Sequence, residues 1–274
     1  MRPVEQQKIL VTGATAGLGK EVASELARRG ATVLVHGRDQ NRVKAAVAAI
    51  AGESGNDRLV PSVADLASLA AVRRLAEEVS ANGDGLDALV NNAGVAVPER
   101  TESHDGYELT FAVNYLAPYL LTRLLLPSLQ QRGSARIVNV SSIGQGPVKF
   151  DDVMLERGYD MTFAYNQSKL ALVSFTFELA ERLKAQGDAD VTVTALHPAT
   201  LMPTKLVFEV VGRTVDSLQD GVAATLRLII DPELEGVTGA YFDQAREAQA
   251  YREAYDAQAR KRLWDLSERL CGLS

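Results

Sequence analysis

Short apolar runs alternate along this chain with longer stretches in which apolar residues recur every three or four positions. Short β-branched runs are typical of strands buried on both faces, and the longer pattern is typical of amphipathic helices. The predicted strands cover residues 8–12, 32–36, 59–63, 88–91, 136–140, 191–196 and 240–242. The predicted helices cover residues 18–29, 41–50, 66–80, 107–130, 164–185 and 218–230.

The repeated strand–helix–strand order predicts an α/β fold, a doubly wound parallel sheet of about seven strands with helices on both faces. No linker-like composition or internal repeat divides the chain, so we expect one domain over residues 1–274. Two segments fall outside the alternation. The glycine-rich segment 143–162 predicts a loop, and the charged tail 245–271 predicts an extra C-terminal helix.

Composition narrows the class of protein. The chain has 46% hydrophobic and 23% charged residues, which is ordinary for a globular enzyme, and its net charge of −6 argues against a nucleic-acid partner. Its one cysteine, Cys271, cannot form an intramolecular disulfide. The polar first residues lack the apolar core of a secretory signal, and no apolar run of about 18 residues is evident. We therefore expect a cytoplasmic protein without a membrane span.

The first predicted strand leads into a glycine-rich turn, Gly13-Ala-Thr-Ala-Gly17-Leu-Gly19, and then into a helix. Glycines allow a sharp turn, and the free N–H groups at a helix start suit a pyrophosphate. The spacing differs from the common G-x-G-x-x-G dinucleotide pattern. A plain strand-to-helix turn is the alternative interpretation.

The end of the second predicted strand bears on the choice of cofactor. Sites that prefer NAD carry an acidic residue near here, which accepts hydrogen bonds from the ribose hydroxyls. This chain has Gly37 followed by Arg38. A guanidinium pairs well with a phosphate, so Arg38 favours a 2′-phosphate and hence NADP(H). Asp39 could cap the next helix or repel that phosphate, and Arg38 could be an ordinary surface arginine.

Tyr165 and Lys169 lie four residues apart near the start of a predicted helix and so share one helix face. A tyrosine with a pKa of about 10 is a poor acid–base group at neutral pH, and a nearby ammonium would lower that pKa. Ser141 and Ser142 follow a buried strand, at the edge where doubly wound sheets bind ligands. The alternative for the Tyr/Lys pair is surface decoration.

Together these residues resemble the short-chain dehydrogenase/reductase family along nearly the whole chain. The matching motifs, in the family's order, are Thr12-Gly13-x-x-x-Gly17-x-Gly19, Asp65-Leu66, Asn91-Asn92-Ala93-Gly94, Asn114, Ser142 and Tyr165-x-x-x-Lys169. The resemblance implies a Rossmann-type fold and an oxidoreductase that uses a nicotinamide cofactor.

The resemblance also implies the catalytic residues Asn114, Ser142, Tyr165 and Lys169. Ser142 would donate a hydrogen bond to the substrate carbonyl oxygen, and Tyr165 would supply the proton as hydride arrives. Lys169 would bind the nicotinamide ribose and act electrostatically on Tyr165. Asn114 would hold a relay water, or be an ordinary helix asparagine. Ser141 could replace Ser142 if the strand register differs.

The implied cofactor contacts are Gly13, Thr15, Gly17, Leu18, Gly19, Arg38, Asp65, Leu66, Asn92, Ala93, Gly94, Tyr165, Lys169, Pro198 and Thr200. Asp65 would lie near the adenine. The family's Pro-Gly pair after the sixth strand reads Pro198-Ala199 here. Pro203 stands where a threonine is expected, with Thr204 next and Thr200 earlier. The contact to the nicotinamide carboxamide is therefore open.

A narrower resemblance, to the retinol dehydrogenase-like branch, covers segments 163–170, 177–183, 196–198, 236–242 and 262–268. That branch usually prefers NADP(H) and often acts on lipophilic alcohols and carbonyl compounds. The resemblance implies a small, hydrophobic substrate and makes the long segment 143–162 a flap at the substrate entrance. The alternative is a non-catalytic NADP(H)-binding sensor on the same fold, which would be expected to lose the acid–base residues.

The three histidines, His36, His104 and His197, are scattered, and no cluster has metal-ligand spacing, so we expect no metal. Many members of the family form tetramers through the helices that carry Asn114 and Tyr165. A homodimer or homotetramer is therefore expected, and the predicted C-terminal helix would either cover or extend that interface.

Overall fold

Eight strands form the sheet of this protein in a computed structural model that describes residues 1–81, 83–188, 190–204, 207–208 and 212–273. The strands are β1 (Lys8–Val11), β2 (Thr32–Gly37), β3 (Leu59–Val63), β4 (Ala88–Asn91), β5 (Ala135–Val140), β6 (Val191–His197), β7 (Ala240–Asp243) and β8 (Arg246–Ala248). Their order in space is β3-β2-β1-β4-β5-β6-β7-β8. All neighbours pair in parallel except β7 and β8, which are antiparallel.

Helices pack on both faces of the sheet, which confirms the doubly wound α/β fold. They are α1 (Gly17–Arg28), α2 (Gln40–Ser54), α3 (Leu69–Ser80), α4 (Leu109–Gln130), α5 (Met161–Ala185), α6 (Leu218–Ile230) and α7 (Ala257–Leu270). One hydrophobic core joins the sheet to α3, α4, α5 and α7, and the other joins it to α1, α2 and α6. The central strands β1, β4, β5 and β6 are covered on both faces and are mostly apolar, as the sequence pattern indicated, whereas the edge strands β3 and β8 are partly exposed.

The eighth strand and the tail correct the sequence prediction. Segment 245–271 was expected to be one helix, but its start forms β8 and a 3-10 turn, and α7 begins only at Ala257. Gln244 adopts a left-handed φ of 53° and turns the chain back against β7. Asp256 then accepts hydrogen bonds from two N–H groups of the first turn of α7. The three-residue edge strand is too short and too polar for its period to show in the sequence.

Helix α4 is long and apolar enough to cross a membrane by length and composition, with a mean hydropathy of 1.3, although no such stretch was expected. Of that apolar window, 78% is buried inside the protein. The helix is apolar on most of its surface because the sheet, α3, α5 and α7 surround it. It has the packing of a core helix, and its fourth to eighth residues belong to a π turn, Ala112–Leu116.

Helix α7 packs on α4 and α5 of its own chain. Trp264 is buried edge-on against Tyr119, with ring centroids 5.4 Å apart, and the Arg182 guanidinium lies 4.1 Å from its ring centroid. The Ser267 hydroxyl is hydrogen-bonded to the Tyr115 hydroxyl at 2.6 Å. The tail therefore covers the α4–α5 face within the chain.

The segment between β5 and α5 is irregular, as predicted for residues 143–162, up to the start of α5 at Met161. Helix α5 begins three residues earlier than expected because Asp160 caps it by accepting a hydrogen bond from the Phe163 N–H. The segment is tied down by Gln167, whose side chain accepts from the Lys149 N–H and donates to the Val153 carbonyl.

Candidate active site

Most of the predicted site residues lie in the loops that follow the carboxyl ends of β1 to β6, whereas Asn114, Tyr165 and Lys169 lie on helices α4 and α5. The strand order reverses between β1 and β4, and in doubly wound sheets this switch point opens a crevice for ligands. The glycine-rich turn follows β1, Asn92 to Gly94 follow β4, and Ser142 follows β5. The fold thus brings together segments that lie more than a hundred residues apart.

The turn after β1 is joined to the loop after β4 by Thr12 and Asn92. The Thr12 hydroxyl accepts from the N–H groups of Asn92 and Ala93, at 2.9 and 3.0 Å, and donates to the Val90 carbonyl. The Asn92 side chain donates to the Thr12 carbonyl at 2.8 Å. These bonds hold the backbone of the two loops against each other, so that both present their edges to the same crevice.

The start of α1 has the features of an anion cradle. Its N-cap is Ala16, which provides no side-chain acceptor, and its first turn has no acidic residue. The other six helices α2 to α7 each begin with a side-chain cap. The N–H groups of Gly17, Leu18 and Gly19 thus start a helix whose positive end is left for a ligand.

The glycines of this turn are required by close approach. A Cβ at Gly19 would lie 2.4 Å from the Asn92 side-chain nitrogen, and one at Gly13 would lie 2.9 Å from Ala93 Cα. Gly13 and Gly17 also have left-handed φ values of 66° and 56°. The backbone can therefore approach a pyrophosphate closely, which fits the nicotinamide dinucleotide implied by the sequence.

His36, which the sequence analysis assigned no role, supports this turn from β2. Its Nδ1 accepts from the Gly13 N–H at 3.2 Å, and its Nε2 lies 3.1 Å from the Ala64 carbonyl. Burial lowers the pKa of His36 to about 4. The ring is therefore neutral, with its proton on Nε2, and it connects the ends of β1, β2 and β3.

At the end of β2, the structure decides the role of Asp39 and shows why residue 37 is glycine. The Asp39 carboxylate caps α2 by accepting from the Arg42 N–H at 2.8 Å. Arg38 is exposed beside it. A Cβ at Gly37 would lie 2.5 Å from Thr15 Cγ2 and 2.9 Å from Val43 Cγ2. The place where NAD-preferring sites carry a carboxylate is thus closed by the Thr15 methyl group.

Asp65 and Leu66 follow β3, at the outer side of the crevice. Leu66 is buried in the core, whereas Asp65 is partly exposed and accepts from the Ala67 N–H at 3.0 Å. The second Asp65 oxygen lies 3.3 Å from His104 Nε2. A hydrogen-bond acceptor therefore stands where the resemblance predicts the adenine.

The two serines after β5 have different partners. The Ser141 hydroxyl is buried and donates to the Lys169 carbonyl at 3.0 Å, so it joins β5 to α5. The Ser142 hydroxyl accepts from the Gly144 N–H at 3.0 Å, and Ser142 lies beside the Tyr165 phenol, whose pKa it acts to lower. Of the two serines, the family pattern implies Ser142 as the partner of the phenol.

Tyr165 and Lys169 lie on one face of α5, with Lys169 Nζ 5.5 Å from the Tyr165 ring centroid. Nζ donates to the Val140 carbonyl at 2.9 Å. Burial raises the pKa of Tyr165, and Ser142 acts in the opposite direction. Burial also lowers the pKa of Lys169 to about 8. The ammonium was expected to lower the tyrosine pKa, but desolvation has the largest effect on both groups, because it disfavours both charged forms.

Asn114 lies in the π turn of α4 and is fully buried. Its side-chain oxygen accepts from the Val95 N–H at 2.8 Å, and its side-chain nitrogen donates to the Val95 carbonyl and to the Ser168 hydroxyl. The Ser168 hydroxyl in turn donates to the Tyr165 carbonyl at 2.7 Å. The side chain thus connects the loop after β4 to the first turn of α5.

The loop after β6 places its threonines differently. Pro198 is buried, and the Thr200 hydroxyl is hydrogen-bonded to His197 at 3.1 Å. Thr204 lies against the glycine-rich turn, because a Cβ at Gly17 would be 3.4 Å from its methyl group. Thr204 was noted in the sequence only as displaced by one position, and the structure brings it to the cradle.

Comparisons with known proteins agree with this geometry. Residues 7–211 match the family described as short chain dehydrogenase, a range that contains all the loops of the crevice. The chain is 39% identical over 289 residues to retinol dehydrogenase 13 from Mus musculus, covering 97% of this chain and 84% of the relative. A solved structure from Mycobacterium paratuberculosis has a TM-score of 0.80 and 31% identity, covering 97% and 94% of the two chains. A short chain dehydrogenase from Shigella flexneri complexed with NADP has a TM-score of 0.71 and 26% identity, covering 88% and 98%.

Proposed function

The chain belongs to the short chain dehydrogenase family, in its retinol dehydrogenase-like branch, and from this premise we propose that it is an NADP(H)-dependent enzyme for hydrophobic alcohols and carbonyl compounds with Tyr165 as its acid and base. As a member of this family it is an oxidoreductase that acts on CH–OH and C=O groups. The proposal adds the cofactor preference, the proton donor and the substrate class. The placement of Ser142 beside the Tyr165 phenol, with Lys169 Nζ 5.5 Å from the Tyr165 ring centroid, carries it.

Ser142 and Tyr165 together suit a reacting oxygen. The Ser142 hydroxyl oxygen accepts a hydrogen bond from the Gly144 N–H, so the hydroxyl hydrogen can turn towards a substrate carbonyl or towards the phenol. Tyr165 is half-buried, and its raised pKa keeps the phenol protonated at neutral pH. In carbonyl reduction the phenol donates its proton to the oxygen as the bound cofactor supplies a hydride to the carbon. In alcohol oxidation the same group accepts the proton, and this direction gains from alkaline pH.

Lys169 suits the ribose next to the reacting ring. One of its three N–H donors is used on the Val140 carbonyl, which leaves two for hydroxyl groups. A Cβ at Gly94 would lie 3.5 Å from Nζ, so the backbone of the loop after β4 passes directly beside the ammonium. With a pKa of about 8, Lys169 is charged at neutral pH and favours the negative charge that develops on the phenol.

The NADP(H) preference rests on the end of β2. Arg38 is exposed at the rim, where a guanidinium can pair with a 2′-phosphate. Asp39, which could have repelled that phosphate, is engaged as the cap of α2. The contact of Thr15 with Gly37 leaves no room for the carboxylate that would bind the ribose hydroxyls of NAD. The NADP complex of the related Shigella flexneri protein agrees with this preference.

The substrate class rests on exposed apolar side chains. Ile143, the residue after Ser142, is 63% exposed, and Phe208 and Val215, in the segment after β6, are 56% and 63% exposed. Large apolar side chains that face solvent are typical of a site for a hydrophobic ligand. The similarity to retinol dehydrogenase 13 suggests an isoprenoid alcohol or aldehyde.

The test is a titration with NADPH and NADH followed by turnover assays with hydrophobic aldehydes, retinal among them. We expect tighter binding of NADPH and oxidation of NADPH by at least one aldehyde. Tyr165→Phe should abolish turnover and leave NADPH binding intact. Arg38→Ala should weaken the binding of NADPH about tenfold or more relative to the binding of NADH, because it removes a charged contact with the 2′-phosphate. Tight cofactor binding without turnover of any aldehyde or alcohol in the panel, or full activity of Tyr165→Phe, would refute the assignment.

A further inference from the structure

The main-chain carbonyl of Ser142 is held by two side chains that have no part in the chemistry proposed above. The Tyr241 hydroxyl donates to this oxygen at 3.0 Å, and the Gln145 side-chain nitrogen donates to it at 2.8 Å. Tyr241 is 99 residues away in sequence, on β7. A carbonyl oxygen has two lone pairs, so these two donors complete its hydrogen bonding and fix the plane of its peptide group.

Tyr241 has the properties of a permanent donor. It is 3% exposed, and its backbone is paired with β6 on one side and with β8 on the other. Burial raises the pKa of its phenol, with the Asp243 carboxylate as the next contribution in the same direction. The group therefore stays protonated over the whole working range and cannot exchange roles with Tyr165. The Gln145 side chain acts to lower this pKa, less strongly than burial raises it, which places Gln145 beside the Tyr241 phenol.

The tail of the chain holds Gln145 in turn. The Tyr251 N–H donates to the Gln145 side-chain oxygen at 2.9 Å, which orients the amide so that its nitrogen faces Ser142. Tyr251 follows β8, which pairs with β7 from Tyr241 to Asp243. The contacts therefore form a ring. Ser142 is bonded to Gln145, Gln145 to the tail at Tyr251, the tail pairs with β7 through β8, and Tyr241 on β7 is bonded to Ser142 again.

We infer that Tyr241 and Gln145 are positioning residues for the catalytic serine. By fixing the Ser142 peptide they keep its hydroxyl directed at Tyr165 and at the substrate oxygen. The short strand β8 serves this purpose by holding both donors in place. This inference rests on the proposed function, because it concerns the geometry of the same proton transfer.

The test uses Tyr241→Phe, which removes only the donor hydroxyl. Loss of one neutral hydrogen bond corresponds to a fall in kcat of about threefold to tenfold, with KM and NADPH affinity unchanged. In the alcohol-oxidation direction, the apparent pKa of the rate profile should rise. Ser142 acts to lower the Tyr165 pKa, and it does so less when its peptide group is no longer held in place. Gln145→Glu, which keeps the acceptor for Tyr251 but loses the donor, should act in the same direction.

Tyr107→Phe is the matched control, because the Tyr107 hydroxyl also donates to a main-chain carbonyl, that of Leu270, at 2.8 Å. It should leave kcat and the pH profile unchanged. The decisive comparison repeats Tyr241→Phe in a Ser142→Ala background, where a residue that acts only through Ser142 should have no further effect on the residual rate.

Two results would overturn the inference alone. In the first, Tyr241→Phe leaves kcat and the pH profile unchanged, as Tyr107→Phe should. In the second, Tyr241→Phe lowers the rate by the same factor in the unmodified protein and in the Ser142→Ala background. Absence of turnover in the unmodified protein would instead overturn the proposed function, and with it this inference.

Discussion

The buried ammonium of Lys169 predicts a stability cost that changes with pH. The side chain is 4% exposed, and burial lowers its pKa from 10.5 to about 8. At about 1.4 kcal/mol per pKa unit, the charged lysine makes the folded state about 3 kcal/mol less stable at neutral pH than a lysine with an unchanged pKa would. Lys169→Met removes the charge and keeps the length of the side chain.

The sign of the effect follows from proton binding. Below about pH 8 the folded and unfolded states both hold the proton, and the full cost is present. Between pH 8 and 10.5 the unfolded state still holds it while the folded state has released it, so the stability of the unmodified protein rises with pH. The Met variant lacks this rise. The unmodified protein should therefore gain about 2.5 kcal/mol relative to Lys169→Met between pH 7 and pH 10.

The assay is urea unfolding of both proteins at several pH values, without added cofactor. Lys184→Met on the same helix is the control, because it removes an exposed lysine outside the site. Groups that titrate in both proteins cancel in the comparison. A difference between the unmodified protein and Lys169→Met that stays constant from pH 7 to 10 would refute the reasoning. Lys169→Met should also lose turnover, so the site keeps its charge at the expense of stability.

Three further predictions concern the serines, the β2 turn and the tail. Ser142→Ala should lower kcat about a hundredfold, because it removes a donor to the reacting oxygen, whereas Ser141→Ala should lower the free energy of unfolding by about 1 kcal/mol and leave kcat nearly unchanged. Gly37→Ala should weaken the binding of both NADPH and NADH in titrations, since its Cβ would lie 2.5 Å from the Thr15 methyl group. Thr15→Ser removes that methyl group and should restore part of the lost affinity. Trp264→Ala should lower the free energy of unfolding by about 3–5 kcal/mol in denaturant titrations, because it empties a buried contact between α7 and the α4–α5 face; a loss below 1 kcal/mol would contradict this packing.

Much of the fold was predictable from periodicity. Seven parallel strands and six helices were recognised with boundaries within a few residues, because each is encoded by neighbours in the chain. Helix starts were misplaced where a capping side chain decided them, as Asp160 does for α5. Strand β8 was missed because three polar residues at a sheet edge have no period, and their conformation depends on the turn at Gln244 and on pairing with β7.

The same distinction between local and long-range determinants applies to the site. Spacing within short segments was enough to propose the glycine-rich turn, Arg38, Ser142, Tyr165 and Lys169, because each motif lies in one loop or on one helix face. Their partners came from elsewhere in the chain. The family pattern favoured Ser142 over Ser141, but the sequence could not show that the Ser141 hydroxyl bonds to the Lys169 carbonyl of α5. His36 and Tyr241 lie inside predicted strands and were assigned no role in the site.

The sequence by itself determined the order of strands and helices, the family, and the residue types that carry the chemistry, because these depend on patterns over a few consecutive residues. Tertiary structure alone decided the electrostatics and the alignment. Burial raises the pKa of Tyr165, against the direction that its spacing from Lys169 indicated, and lowers the pKa of Lys169. The Ser142 peptide is held by a hydroxyl 99 residues away. Desolvation and long-range hydrogen bonds depend on what surrounds a group in space, and this is settled only when the chain has folded.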